Sequence, residues 1–304
     1  MRLNFNYLVL IISMISALSC NDDLSFNSSK SRNLIVLHAQ AEVGKKIVLE
    51  VKQSELITED TLNNPIDGVR AVLKVNGIDE DVTYSNSEGF ASFSYIVTPR
   101  DTLAIELEKE GFDVVSAKTT TPENIGILQF DTTNKRLLDQ GLRVSFYDRP
   151  NEKNYYQLVL IGERWTYQLD NITGERLDSV RSREFVEMKS INRIFFSDNN
   201  IVNNRQNFEL LNDKIFNGKN FVLDVDVNRF ALSEQIDKSA MKKLTVELKS
   251  ISEAYYSFLT TLSLNRPIYG GPFSISSQVP SNVLGGYGIF ATYSVDRAEI
   301  VLEQ

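Results

Sequence analysis

Hydrophobic and polar residues alternate along most of this chain, in short runs broken by turn residues. In 67–75 (DGVRAVLKV), Val69, Ala71, Leu73 and Val75 share one face, and Asn76-Gly77 closes the run as a turn pair. The runs 33–39 (NLIVLHA) and 46–52 (KIVLEVK) are β-branched and of strand length. Residues 89–97, 102–108 and 113–118 complete a set of six or seven short strands, spaced as a β-sandwich spaces them. Pro122 ends the set. The pattern predicts a sandwich over 33–122 with a boundary near 121–126.

The second half is also strand-rich. Strands are expected at 142–147, 155–161 and 165–169, with 170–174 as a hairpin loop leading to another. Further strands follow at 221–227 and 244–249, then at 273–276 and 287–302. One helix interrupts them. Ser250-Ile-Ser-Glu253 fits a capping box, and Tyr255, Phe258, Leu259 and Leu262 recur at helical spacing behind it. The Asn-rich stretch 198–207 lacks apolar periodicity and reads as a long loop. The fold class expected is mainly β: the sandwich, then a β-rich domain over 123–304 with one short helix.

The N-terminus departs from this pattern. Arg2 precedes the apolar run 7–15 (YLVLIISMI), and small residues Ala17 and Ser19 lead into Cys20. About a dozen apolar residues are too few to cross a bilayer as a helix, so 1–19 reads as a cleaved export signal. Ala17-Leu18-Ser19 fits ordinary signal peptidase. The same residues resemble a bacterial lipobox, in which the cysteine is lipidated and becomes residue one, although Ala17 stands where that pattern prefers Leu. Cys20 is the chain's only cysteine, and its place at the cleavage point favours the lipid anchor. Residues 20–32 then form the lipidated start and a polar linker.

Composition narrows the partners. The formal net charge is −8 with no basic run, which argues against nucleic acid, where phosphate neutralisation dominates affinity. A single cysteine excludes an internal disulfide, so the chain relies on packed cores.

Several segments, in order, resemble one family of Bacteroidota lipoproteins, the domain of unknown function 4249. They are NPIDGVRAVLKVNG, DTLAIELEKEGFDVVSAKTTTP, YDRPNEKNYYQLVL, IFNGKNFVLDV, SISEAYYSFL and PSNVLGGYGIFATYS, together spanning about 33–302. The first half also resembles the transthyretin-like modules attached to carboxypeptidases and TonB-dependent receptors. The resemblance implies an outer-membrane lipoprotein grouped with TonB-dependent receptors, and brings no established activity. Asn21-Asp22-Asp23 resembles the acidic signal that sends such lipoproteins to the cell surface; the periplasmic face is the alternative.

Candidate chemistries are sparse. His38 is the only histidine, so a His-based metal cluster cannot be assembled, and its strand pattern gives it a structural role. Asp224, Asp226 and Asn228 imitate a calcium loop, but Arg229 occupies the required glycine position and Gln235 that of the terminal Glu. This segment reads as a strand with a polar outer face. GGYG at 285–288 lacks the Lys-Ser/Thr of a phosphate loop and reads as close backbone packing. Trp165 and Tyr167, two apart, could offer an aromatic face to a sugar or peptide, against core packing as the plainer role. Tyr155 and Tyr156 should point to opposite faces. No metal site, cofactor or catalytic residue is expected.

Two function classes follow. One is a non-catalytic surface lipoprotein that binds a partner or ligand, with a TonB-dependent receptor as the expected partner. The other is a hydrolase acting on an external glycan or peptide; an adhesin or envelope scaffold differs from the first only in its partner.

Overall fold

The computed structural model describes residues 34–54, 64–134, 140–169, 176–191, 207–227, 239–264 and 279–302, together with Thr173. The chain is mainly β, as its alternation predicts, with one short helix among the described residues. The first half forms β1 (Ile35–Glu42), β2 (Lys46–Gln53), β3 (Arg70–Val75), β4 (Ile78–Tyr84), β5 (Phe90–Ile96), β6 (Thr102–Glu108) and β7 (Val115–Thr120). The second half continues with β8 (Ile127–Asn134), β9 (Gln140–Tyr147), β10 (Tyr155–Leu169), β11 (Arg176–Phe185), β12 (Met188–Ser190) and β13 (Phe208–Asn212). It ends with β14 (Asn220–Val227), β15 (Ser239–Ile251), α1 (Glu253–Leu264), β16 (Val283–Leu284) and β17 (Tyr287–Val301).

One long sheet, in the order β11-β10-β15-β17-β1-β2-β5, forms the spine, and β13 also pairs with β10. Two smaller sheets pack against it. The sheet β16-β7-β6-β3-β4 covers the β17-β1-β2-β5 end and encloses a core of Leu37, Leu49, Leu73, Ile105, Leu107 and Phe290. The sheet β12-β14-β9-β8 covers the β10-β15 end around Val144, Phe146, Tyr156, Leu160, Leu223 and Leu248. On the opposite face of the spine, Tyr255, Tyr256 and Leu259 of α1 pack on Ile251, Ile289 and Ala291. Residues 289–292 of β17 are therefore buried on both faces.

The connection at 121–126 joins β7 to β8, and the spine runs on both sides of it. β17 supplies the closure. It pairs parallel with β1, with Leu37 opposite Gly288, and it places Phe290 in the first core.

Two local readings are corrected. Residues 155–161 and 165–169 belong to one strand, not two, because β15 pairs alongside from Tyr155 to Thr166, with a single irregularity between Glu163 and Arg164, and β11 carries the pairing on to Leu169. At Gly162, between the two runs, a Cβ would strike the side chain of Met241, so the absence of a side chain there makes room for it. Secondly, the helix begins after Ser252, not Ser250. Ser250 remains in β15, paired with both Tyr156 and Ser294, so the strand holds the chain extended past the first serine. The expected strand at 273–276 and the Asn-rich loop up to 206 lie outside the described residues.

Candidate functional site: a cleft between the lobes

The cleft is built on the connection at 121–126, which is tied down at its start. Thr121 N–H donates to the carbonyl of Asp101 (2.8 Å), and Arg100 N–H donates to that of Thr121 (3.0 Å). The carboxylate of Asp101 shapes the facing turn. It accepts from Tyr95 Oη (2.6 Å), Thr98 N (2.9 Å), Thr98 Oγ1 (2.7 Å) and Asn76 Nδ2 (3.3 Å). Burial alone would raise its pKa, but these donors win and hold it below the usual aspartate range. Within this turn Arg100 adopts a positive φ of 67°. Its guanidinium meets Glu123, whose other oxygen pairs with Arg149.

A second knot fixes the opposite wall. Asp213 Oδ2 accepts from Asn154 N (2.8 Å) and Asn217 Nδ2 (2.9 Å), which clamps the loop before β10 to the turn before β14. Beneath it, fully buried Asp148 accepts from Tyr156 Oη and from Gly218 N (2.9 Å). Burial raises the Asp148 carboxyl, the charge of Asp213 adds to this, and the hydrogen bonds only partly offset it. Burial and Asp148 together push the Tyr156 phenol far above its ordinary value. With both oxygens engaged and no exposure, Asp148 is a structural group.

Tyr155 points the other way from Tyr156, as strand geometry requires. Its hydroxyl donates to Glu253 Oε1 (2.7 Å) and its ring lies 4.8 Å from that of Tyr256. These contacts bring the start of α1 to the cleft. The cleft is open on one side and holds about 640 Å³, lined among others by Arg100, Lys118, Glu123, Arg149, Lys153 and Glu253. With Glu152 also present, the lining holds four cations and three carboxylates. Thr121 and Ser252 line it too, and their hydroxyls have no hydrogen-bond partner among the described residues.

Apart from Tyr155, the residues singled out by their chemistry do not line the cleft. Trp165 and Tyr167 sit on β10 outside the cleft. Tyr167 is buried, while Trp165 is half-buried, donates to Glu163 Oε1 (3.0 Å), and carries Arg181 4.4 Å above its ring. His38 lies on the exposed face of β1. Asp224 forms a two-point pair with Arg143 (2.7 and 2.9 Å) on the polar outer face of β14, a strand as far as Val227; Asn228, Arg229 and Gln235 lie outside the described residues. Gly285, Gly286 and Gly288 press against the backbone carbonyls of Val114, Ile35 and Leu37, so GGYG serves close backbone packing. Among the described residues no group of three His, Cys, Asp or Glu is placed to hold a metal ion. Cys20, Asn21, Asp22 and Asp23 lie outside the described residues.

Chemical motif-reading missed Arg100, Glu123, Arg149 and Ser252. A signal for three of the cleft's walls was nonetheless present. The segments KTTTP, YDRPNEKNYY and SISEAYY, which carried the resemblance, all line this one cleft.

The fold and cleft define a two-lobed, mainly β protein whose lobes share one sheet. The chain belongs to the family described as Domain of unknown function (DUF4249), which matches residues 21–299. No curated protein matches it. Solved structures that resemble it include a Salmonella alpha-2-macroglobulin mutant, at 12% identity and a TM-score of 0.24. That match covers 89% of this chain and 14% of the other, and at this TM-score it carries no argument.

Proposed function

We propose that the chain is a non-catalytic binding protein, anchored to the outer membrane through a lipid on Cys20 and exposed at the cell surface. In this reading it acts as an accessory to a TonB-dependent receptor and holds a ligand between its lobes. The observation that carries it is the convergence of three resemblance segments, distant in sequence, on one cleft of about 640 Å³. That size suits a small solute or a short piece of a polymer. Support for the address comes from the lone cysteine behind an apolar leader and from the acidic residues Asp22 and Asp23. An anchored protein meets partners in the same membrane at a raised effective concentration.

The test is detergent extraction after mild crosslinking, followed by mass spectrometry. Recovery of a TonB-dependent receptor supports the reading. Recovery of the lipoprotein alone, with turnover of a glycan or peptide library that is lost on mutating a carboxylate, would establish the hydrolase instead.

A further inference from the structure

We infer that the end of the first lobe where β1 begins is a docking surface for lipid, seated on the bilayer that holds the chain's own anchor. This rests on the reading of Cys20 as lipidated and adds an orientation to it. The tether from Cys20 to Leu34 can span at most about 50 Å, and it enters the lobe at that end. Strand pairing defines the end. β17 starts beside β1, with Tyr287 opposite Val36, and Leu284 of β16 lies opposite Ser116 near the start of β7. Between Leu284 and Tyr287 the chain crosses the start of both strands. A Cβ on Gly285 would strike the Val114 carbonyl, and one on Gly286 the Ile35 carbonyl. Arg70, at the start of β3, lies between Tyr84 at the end of β4 and Glu108 at the end of β6.

Exposed apolar side chains gather at this pole: Tyr84, Phe90, Val114, Leu284 and Tyr287. Where the strands of this lobe reverse at the other end, Ile78 and Ile96 are the large apolar residues left exposed among the described residues. Single exposed apolar residues need no explanation, but five at the pole that receives a lipid tether have one. Tyrosine, with an apolar ring and a polar tip, suits the boundary between headgroups and acyl chains. Charge does not supply the attraction, because Asp67, Glu88 and Glu110 are exposed at the same end. Apolar burial must supply it. The tether keeps lipid at this pole permanently, whereas nothing links a second copy to it. β7 runs from this pole to the cleft, which Lys118 and Thr119 line, and its six residues rise about 20 Å. A lobe docked this way holds the cleft clear of the membrane, at its far end.

The experiment places single tryptophans in the full lipidated chain, bound to phosphatidylcholine vesicles with and without brominated acyl chains. Trp165, the only native tryptophan, is removed by Trp165→Phe in every variant. Leu284→Trp should be quenched roughly twofold by the bromines, as befits a side chain seated about 5–10 Å into the boundary. Ile78→Trp is the control at the other pole, since its 70% exposure matches the 71% of Leu284, and it should keep its emission. Quenching should survive salt of about 1 M, which screens charge contacts and leaves apolar burial intact. Val114→Asp with Leu284→Asp should abolish the quenching of a Tyr287→Trp reporter. Chains that float with the vesicles while Leu284→Trp escapes quenching, or while Ile78→Trp is quenched equally, overturn the docking surface and leave the anchor standing. Quenching lost in salt overturns its apolar basis. A Leu284→Trp emission that shifts with protein concentration in place of lipid assigns the pole to a second copy and overturns the proposal. Chains that fail to float overturn the anchor, and the orientation with it.

Discussion

The hydroxyl of Tyr155 donates to Glu253 Oε1 at 2.7 Å, and so fastens the first residue of β10 to the first residue of α1. The same two residues line the cleft. Burial, with the hydrogen bond to Glu253 second, raises the Tyr155 phenol well above its ordinary value, so it stays a donor at any physiological pH.

Tyr155→Phe should therefore lower stability by about 1 kcal/mol, the worth of a typical hydrogen bond, since solvent at this exposed site weakens the benefit of the Glu253 charge. The pH dependence has a definite sign. A phenol held protonated in the fold stabilises fully below its unfolded value near 10, and the gain fades as pH climbs through the higher folded value. Urea titrations of both proteins should differ at pH 7 and converge in strong alkali.

Asp101 predicts the mirror image at acid pH. Its folded pKa is lowered by Tyr95, Thr98 and Asn76 against the opposing effect of burial. Its contribution is thus complete above the unfolded value near 4 and is lost as pH falls through the folded one. Asp101→Asn should destabilise by about 2 kcal/mol at neutral pH, and this deficit should shrink below pH 4. Denaturant midpoints measured from pH 7 down to pH 2.5 would show it. A deficit that stays constant across that range would mean that the carboxylate charge is not what holds the turn.

Gly288 has φ of +110°, and a Cβ there would strike the carbonyl of Leu37 on the paired strand. Gly288→Ala should cost at least about 2 kcal/mol, combining backbone strain with overpacking. Gly77→Ala makes a good control, because its φ is also positive, at +87°, while a Cβ there meets nothing. Thermal melts should place Gly288→Ala clearly below that control.

The proposed anchor has its own test. Cys20→Ser should release the protein from membranes or block its maturation, since stable anchoring needs more than one acyl chain. Fractionation and gel mobility read this directly. Asp22→Ala with Asp23→Ala should keep the lipid but protect the protein from external protease.

Periodicity revealed those strands whose one face is wet. In β14, Leu223, Val225 and Val227 are buried while Val222, Asp224 and Asp226 are exposed or half-buried, as the alternation says. β4 was illegible because most of Ile78–Tyr84 faces solvent and no core face imposes a pattern. The start of α1 was misplaced by two residues, since Ser250 and Ser252 both look like caps and only pairing with Tyr156 decides between them. The cleft was legible only as segments. Arg100, Glu123, Arg149 and Ser252 meet through long-range pairing, for which local sequence carries no signal.

The parallel pairing of β1 with β17 also dictates an order of events. Val36 lies opposite Tyr287, so the second strand of that pair arrives almost a whole chain length after the first. A polypeptide that emerges from its N-terminus must keep β1 waiting, with Leu37 and its neighbours lacking the cover of Phe290. Closing so large a loop is slow compared with local pairing. The first lobe consequently cannot mature as an independent unit before β17 arrives. Completion of the last strand is what locks both lobes, and chains cut short before residue 287 are committed to remain unfinished.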